Sequence, residues 1–132
     1  MGIIKKFAEW FGLKEKLHNI VGKPVLFKEG EMWWCNLGEN IGSEINGKSK
    51  LFSRPVIIFK KLSANTFLGI PTSSLDKNGS WYIQVHVHDV SSVAILSQIR
   101  ILDYKRLSTK MGRLHTDDFK RVKAGLKKLY FG

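Results

Sequence analysis

The feature that most constrains this chain is a change of hydrophobic period along it. From Val25 to Asp103 apolar residues alternate or run in short blocks bounded by turn residues, whereas the flanking stretches repeat at helical spacing. Glu31-Met32-Trp33-Trp34-Cys35-Asn36-Leu37 is aromatic-rich and lies between Gly30 and Gly38, as a strand between turns would. Pro55-Val56-Ile57-Ile58-Phe59 reads as a buried strand with proline first, where the missing N–H does least harm. Asn65 to Ser73 is the next strand, Lys77-Asn78-Gly79 a turn, and Trp81 to His88 alternates with a period of two. Ser92 to Leu102 supplies another, broken by Gln98 and Arg100. About five short strands at this spacing predict a small β-barrel. The polar, glycine-rich segment from Gly38 to Phe52 is expected to be a mobile surface loop.

Helical patterns close both ends. In residues 3–20, Ile3, Ile4, Phe7, Ala8, Trp10, Phe11, Leu13 and Leu17 form a wide apolar face between charged residues. This helix is expected to lie on the domain's own core, with docking to a partner or a membrane surface as the alternative. Gly22-Lys23-Pro24 ends the pattern, dividing the chain into an N-terminal helical extension, residues 1–22, and a barrel domain, residues 23–132. Near the other end Thr116 is expected to cap a helix with Asp117 and Asp118 in its first turn, where the macrodipole favours negative charge. Phe119, Val122, Leu126 and Leu129 give that helix one packed face and leave a basic one. The fold class is therefore α+β, mainly β, with an added N-terminal amphipathic helix and a C-terminal helix.

At 132 residues the chain is one compact domain that can bury roughly two-thirds of its unfolded surface without staples. Its single Cys35 cannot form an internal disulfide. Apolar runs such as Val56 to Phe59 fall far short of the ~18 residues of a membrane span. Lys5 and Lys6 interrupt the first apolar stretch before a signal core forms, so a soluble protein of the reducing cytoplasm, with no membrane partner, is expected. The net charge is +11, and residues 100–132 carry +7 of it through ten Lys and Arg against three Asp. Such an excess favours a polyanion or an acidic protein as partner, because neutralised phosphates release their counterions.

Most chemistry is excluded by what is missing. His86 and His88 share a strand face, but neither a cysteine pair nor an HExxH helix completes a metal site, and none is expected. Cys35, in a strand beside two tryptophans, reads as a buried structural thiol. No Walker loop or GxGxxG occurs, so no nucleotide cofactor is expected. What remains is the loop Gly42-Ser43-Glu44-Ile45-Asn46-Gly47-Lys48, followed by Ser53-Arg54-Pro55 at the mouth of a buried strand. A guanidinium held there suits a phosphate bound by two parallel hydrogen bonds. Pro71-Thr72-Ser73-Ser74 places hydroxyls at the end of the next strand. Arginine and hydroxyl together can hold a phosphodiester and stabilise its charge under attack, although a structural Arg54–Glu44 salt bridge would explain the arginine nearly as well.

These pieces occur in a recognisable order: GSE from Gly42, RPVIIF from Arg54, IPTSS from Ile70, SSVAILSQIRILD from Ser91, KRL from Lys105 and GRL from Gly112. From about Lys28 to Leu129 the chain resembles the PemK/MazF family of toxin endoribonucleases. The resemblance implies an SH3-like small β-barrel with edge helices, a homodimer, and ribosome-independent cleavage of single-stranded mRNA without metal or cofactor. The RNA's own 2′-oxygen would attack, leaving a 2′,3′-cyclic phosphate and a 5′-hydroxyl. It further implies a cognate antitoxin whose C-terminal segment covers the RNA groove, and operator DNA bound through the toxin–antitoxin complex. Carried over by position, the essential arginine is Arg54 and the essential hydroxyl is Ser73, with Thr72 one residue early as its rival. Glu44 matches the acidic residue of the family's loop. Ser43, Lys48, Lys50, Ser74, Lys77 and Gln98 are the expected RNA contacts. Ser97 stands where some members have an aspartate, and Ser43 where others have a histidine, so Glu44 or a water is left to move the proton. The alternatives are a non-catalytic SH3-like barrel that binds RNA or DNA, and a protein-interaction domain using the helix of residues 3–20.

Overall fold

Val56, Ile57 and Ile58 are all fully buried, because the strand that carries them has a core on each face. In the computed structural model, which describes residues 7–18, 26–38, 53–74 and 79–132, that strand is β2 (Ser53–Lys61). Ile57 packs with Met32, Ile70, Val85 and Leu96 on one side, while Val56 and Ile58 pack with Phe27, Cys35, Phe67 and Leu102 on the other. An uninterrupted apolar run is what a strand covered on both faces requires.

The sheet grows outward from β2 by antiparallel pairing. On one side lies β1 (Glu31–Asn36), with Met32 opposite Ile57 and Cys35 opposite Arg54. On the other lies β3 (Thr66–Ser73), with Ile70 opposite Ile57 and Pro71 opposite Val56. The far edge of β3 is shared. Its C-terminal end pairs with β5 (Val90–Ile95) and its N-terminal end with β6 (Arg100–Asp103). Outside these, β4 (Tyr82–Val87) pairs with β5, and β7 (Leu107–Arg113) with β1. The order β4-β5-β3-β2-β1-β7 curls into an antiparallel half-barrel, and its outermost strands approach each other where His115 N donates to His86 O at 3.2 Å.

Several expectations are corrected in detail. The stretch expected as one strand from Ser92 to Leu102 is two, separated by a 3-10 turn at Leu96–Gln98 that moves the chain from one end of β3 to the other. The strand expected to run to His88 ends at Val87, and His88 turns with φ of 52° into the hairpin to β5. β7 was not expected at all. The C-terminal helix α2 (Thr116–Phe131) has His115 rather than Thr116 at its N-cap, without a side-chain cap bond. Asp117 and Asp118 do occupy its first turn, and Val122 and Leu126 are buried in the core. The loop expected from Gly38 to Phe52 lies, beyond Gly38, outside the described residues.

Of the N-terminal helix, Phe7–His18 is described as α1. Trp10 is 6% exposed and anchors it to the barrel. The indole occupies the place where a side chain at Gly38 would stand, and Gly38 has φ of +79°, so both space and backbone call for glycine there. From the second 3-10 turn (Tyr104–Arg106), the Arg106 guanidinium lies 5.7 Å from the Trp10 ring and Lys105 Nζ donates to His18 O at 3.1 Å. The helix thus lies on the domain's own surface, while Phe11 on its outer side is exposed.

Candidate active site

Continuing the β2–β3 register past Val56 and Pro71 sets Pro55 opposite Thr72 and Arg54 opposite Ser73. Alternation then gives Arg54 and Ser73 one face of the sheet, and Pro55 and Thr72 the other. The hydrogen bonds agree: Thr72 Oγ1 donates to Pro55 O at 3.0 Å, and Arg54 Nη1 donates to Thr72 O at 3.1 Å. The guanidinium is therefore braced against the backbone of the strand beside it. Burial lowers its pKa from the ordinary value, but an arginine keeps its proton in proteins.

These residues line a cleft of about 340 Å³ at the end of β2 and β3. Arg54, Thr72, Ser73 and Ser74 all contribute to it, so four of the residues singled out in the sequence come together. Ser91 and Ser92 of β5 add further hydroxyls to the wall. Trp34 and Val90 supply apolar surface, 39% and 57% exposed, with Met111 behind them. The exposed lining of the cleft is largely apolar, with Trp34 and Val90 foremost, and Arg54 stands at its edge; an open indole face can take an unstacked base and a guanidinium a phosphate.

Gln98, expected as an RNA contact, is half-buried in the 3-10 turn after β5 and is not among the residues lining the cleft. Glu44, Ser43, Lys48, Lys50 and Lys77 lie outside the described residues. The sequence reading missed Trp34, although a signal was present. In Trp33-Trp34 two neighbours of one strand face opposite sides, so one of two large aromatics had to leave the inner core; Trp33 is buried and Trp34 opens to the cleft.

Other reactive groups are accounted for elsewhere. Cys35 is fully buried and its thiol is pushed up to about 12 by burial, as befits a structural thiol. His86 and His88 do not form a pair, since His88 has left the strand. His86 meets Asp118 and His115 instead.

Residues 28–130 match the family of PemK-like, MazF-like toxins of type II toxin–antitoxin systems. Among solved structures, the chain is similar to MazF from Deinococcus radiodurans, with a TM-score of 0.68 and 22% identity over 80% of this chain and 96% of that one. A MazE–MazF structure from the same organism gives a TM-score of 0.62 and 18% identity, covering 81% and 97% of the two chains. A mycobacterial endoribonuclease in complex with its cognate antitoxin gives 0.62 and 12%, covering 79% and 95%. These likenesses establish the half-barrel fold. No curated protein matches the chain.

Proposed function

The chain belongs to the PemK-like, MazF-like toxin family of type II toxin–antitoxin systems, and on that premise we propose that it is a ribosome-independent endoribonuclease that cuts single-stranded mRNA. The observation that carries this reading is the Arg54 guanidinium, braced on Thr72 O, at a cleft that Ser73 and the exposed Trp34 also line. In the reaction the ribose 2′-oxygen attacks the adjacent phosphorus, the 5′-oxygen leaves, and the products end in a 2′,3′-cyclic phosphate and a 5′-hydroxyl. Charge gathers on the non-bridging oxygens as the phosphorus becomes five-coordinate. Arg54 stabilises that charge from a position fixed before the substrate arrives, which makes its contribution large.

Ser73 is the hydroxyl we assign to the phosphate, because continuing the register gives it the same face as Arg54. Trp34 stacks an unpaired base. Glu44 or a water takes the 2′-proton, and Ser43, Lys48, Lys50, Ser74 and Lys77 contact the RNA. Residues 23–132 form the catalytic domain, a reading supported by the family match beginning at residue 28. The protein acts as a cytoplasmic homodimer. Its inhibitor is an acidic antitoxin, as the +11 charge and the antitoxin-bound mycobacterial relative support, and the pair binds operator DNA chiefly through the antitoxin.

The test is cleavage of a long single-stranded RNA by the purified protein beside Arg54→Ala. The variant should keep its fold by circular dichroism and lose on the order of 10²–10³-fold in rate. Equal cleavage by both proteins, or intact RNA with the parent across several unrelated sequences, would remove the assignment.

A further inference from the structure

The half-barrel's two outer strands meet at a cluster of side chains that the cleft does not use. β4 contributes His86, the turn between β7 and α2 contributes His115, and the first turn of α2 contributes Asp118. His86 Nδ1 and Asp118 Oδ2 are 3.0 Å apart. The two imidazoles stack with centroids 5.6 Å apart and planes 21° from parallel. One donor atom from each of the three residues lies within 4.8 Å of the others. We propose that His86, His115 and Asp118 form a binding site for one zinc-class transition-metal dication, which ties β4 to the N-terminus of α2.

The donor chemistry selects the class of ion. Two imidazoles and one carboxylate suit zinc and its neighbours rather than magnesium or calcium, which take oxygen ligands. The spacing of His86 and Asp118 fits as well. Ligands bound at about 2.0–2.1 Å lie roughly 2.9–3.4 Å from each other for angles between square and tetrahedral, and the Nδ1–Oδ2 separation of 3.0 Å falls in that range. His115 is exposed, so rotation of its side chain can complete a three-residue set, with water in the remaining position.

The surroundings orient the carboxylate as second neighbours of a metal do. Arg121 Nη2 donates to Asp118 Oδ1 at 2.6 Å and to Gln84 O at 2.6 Å, leaving Oδ2 to face the imidazoles. The His86 backbone N–H fixes Oδ2 at 2.8 Å. A plain hydrogen-bonded clasp explains His86 and Asp118 but leaves the stacked, exposed His115 without a role. The Arg121 charge opposes a dication, which makes this site weaker than a four-ligand structural zinc. His86 is paired in register with Ser91 of the cleft wall, so a bound ion would brace the sheet beside the cleft. This inference does not depend on the cleavage reading.

The experiment uses the full chain, stripped with chelator and dialysed, then titrated with ZnCl₂ by calorimetry and followed by thermal unfolding. Three proteins are compared: the parent, His115→Ala, and His88→Ala as a control for a nearby exposed histidine. The parent and His88→Ala should bind roughly one ion per chain and melt several degrees higher with zinc. His115→Ala should bind at least tenfold more weakly, with its zinc-free melting unchanged because the His86–Asp118 bond remains. Should His115→Ala melt early, His115→Gln takes its place. No zinc-dependent heat in the parent, or equal binding by the His115 variant, would overturn the site.

Discussion

Thr72 and Ser73 are neighbours in one strand, so the pleat turns their side chains to opposite faces and only one shares a face with Arg54. That separates their variants. Ser73→Ala should lower the cleavage rate of the folded protein by about 10²-fold. Thr72→Val, at a fully buried site, leaves Pro55 O without its donor and should cost about 1–2 kcal/mol of stability in urea unfolding, while cleavage by the folded fraction persists. The reverse pattern would make Thr72 the reacting hydroxyl. Trp34→Ala should weaken RNA binding by about 1–3 kcal/mol, the usual value of a base–aromatic stack. Arg54 and both hydroxyls stood out in the sequence through the RP and PTS motifs of the family resemblance, although Pro55 and Pro71 lie inside β2 and β3 and not at their ends. Trp34 did not, because an aromatic in an apolar strand reads as core until the alternation is anchored to a particular partner strand.

Among the elements, the clearest stretches were those with one buried face or two. Tyr82–Val87 alternates, and Val56 to Ile58 is buried throughout. β7 was invisible for a physical reason: Leu107 is its only buried residue, and its pairing with β1 is interrupted by two register shifts, so no period of two survives. The helices carry two predictions. Trp10→Ala removes the anchor of α1 and should cost about 3 kcal/mol in urea unfolding; a silent substitution would mean that the helix is not held on the barrel. The second concerns pH. Glu31 and Asp118 are buried carboxylates. For Glu31, burial acts upward, but hydrogen bonds from Lys110, Trp33 and the Lys28 backbone prevail; for Asp118, those from Arg121 and His86 do. Both therefore sit below their ordinary values of 4.5 and 3.8. The folded state then binds fewer protons than the unfolded one, so this stabilisation is complete above the ordinary values and disappears as pH falls through the lowered ones. Unfolding free energy should drop steadily below about pH 4.5. Asp118→Asn should lose about 1–3 kcal/mol at neutral pH and show a shallower acid dependence.

For the whole molecule, the charge distribution decides how the partner is met. The excess concentrated in residues 100–132 was plain in the sequence; that those residues form β6, β7 and α2, apart from the cleft at the end of β2 and β3 except for Met111, required the topology. Single-stranded RNA binding should weaken with salt by a log–log slope of about −0.7 per phosphate neutralised, and Arg54→Ala should reduce that slope by about one such step. The central claim is that the RNA's own 2′-oxygen is the nucleophile at an Arg54 cleft, and the chemistry of the new ends tests it most directly. Cleavage of a long single-stranded RNA in EDTA, followed by mapping of both ends at each cut, should give a 2′,3′-cyclic phosphate and a 5′-hydroxyl, with a single 2′-deoxy substitution at a cut site abolishing that cut alone. A 5′-phosphate end, or undiminished cutting at the 2′-deoxy position, would contradict the account.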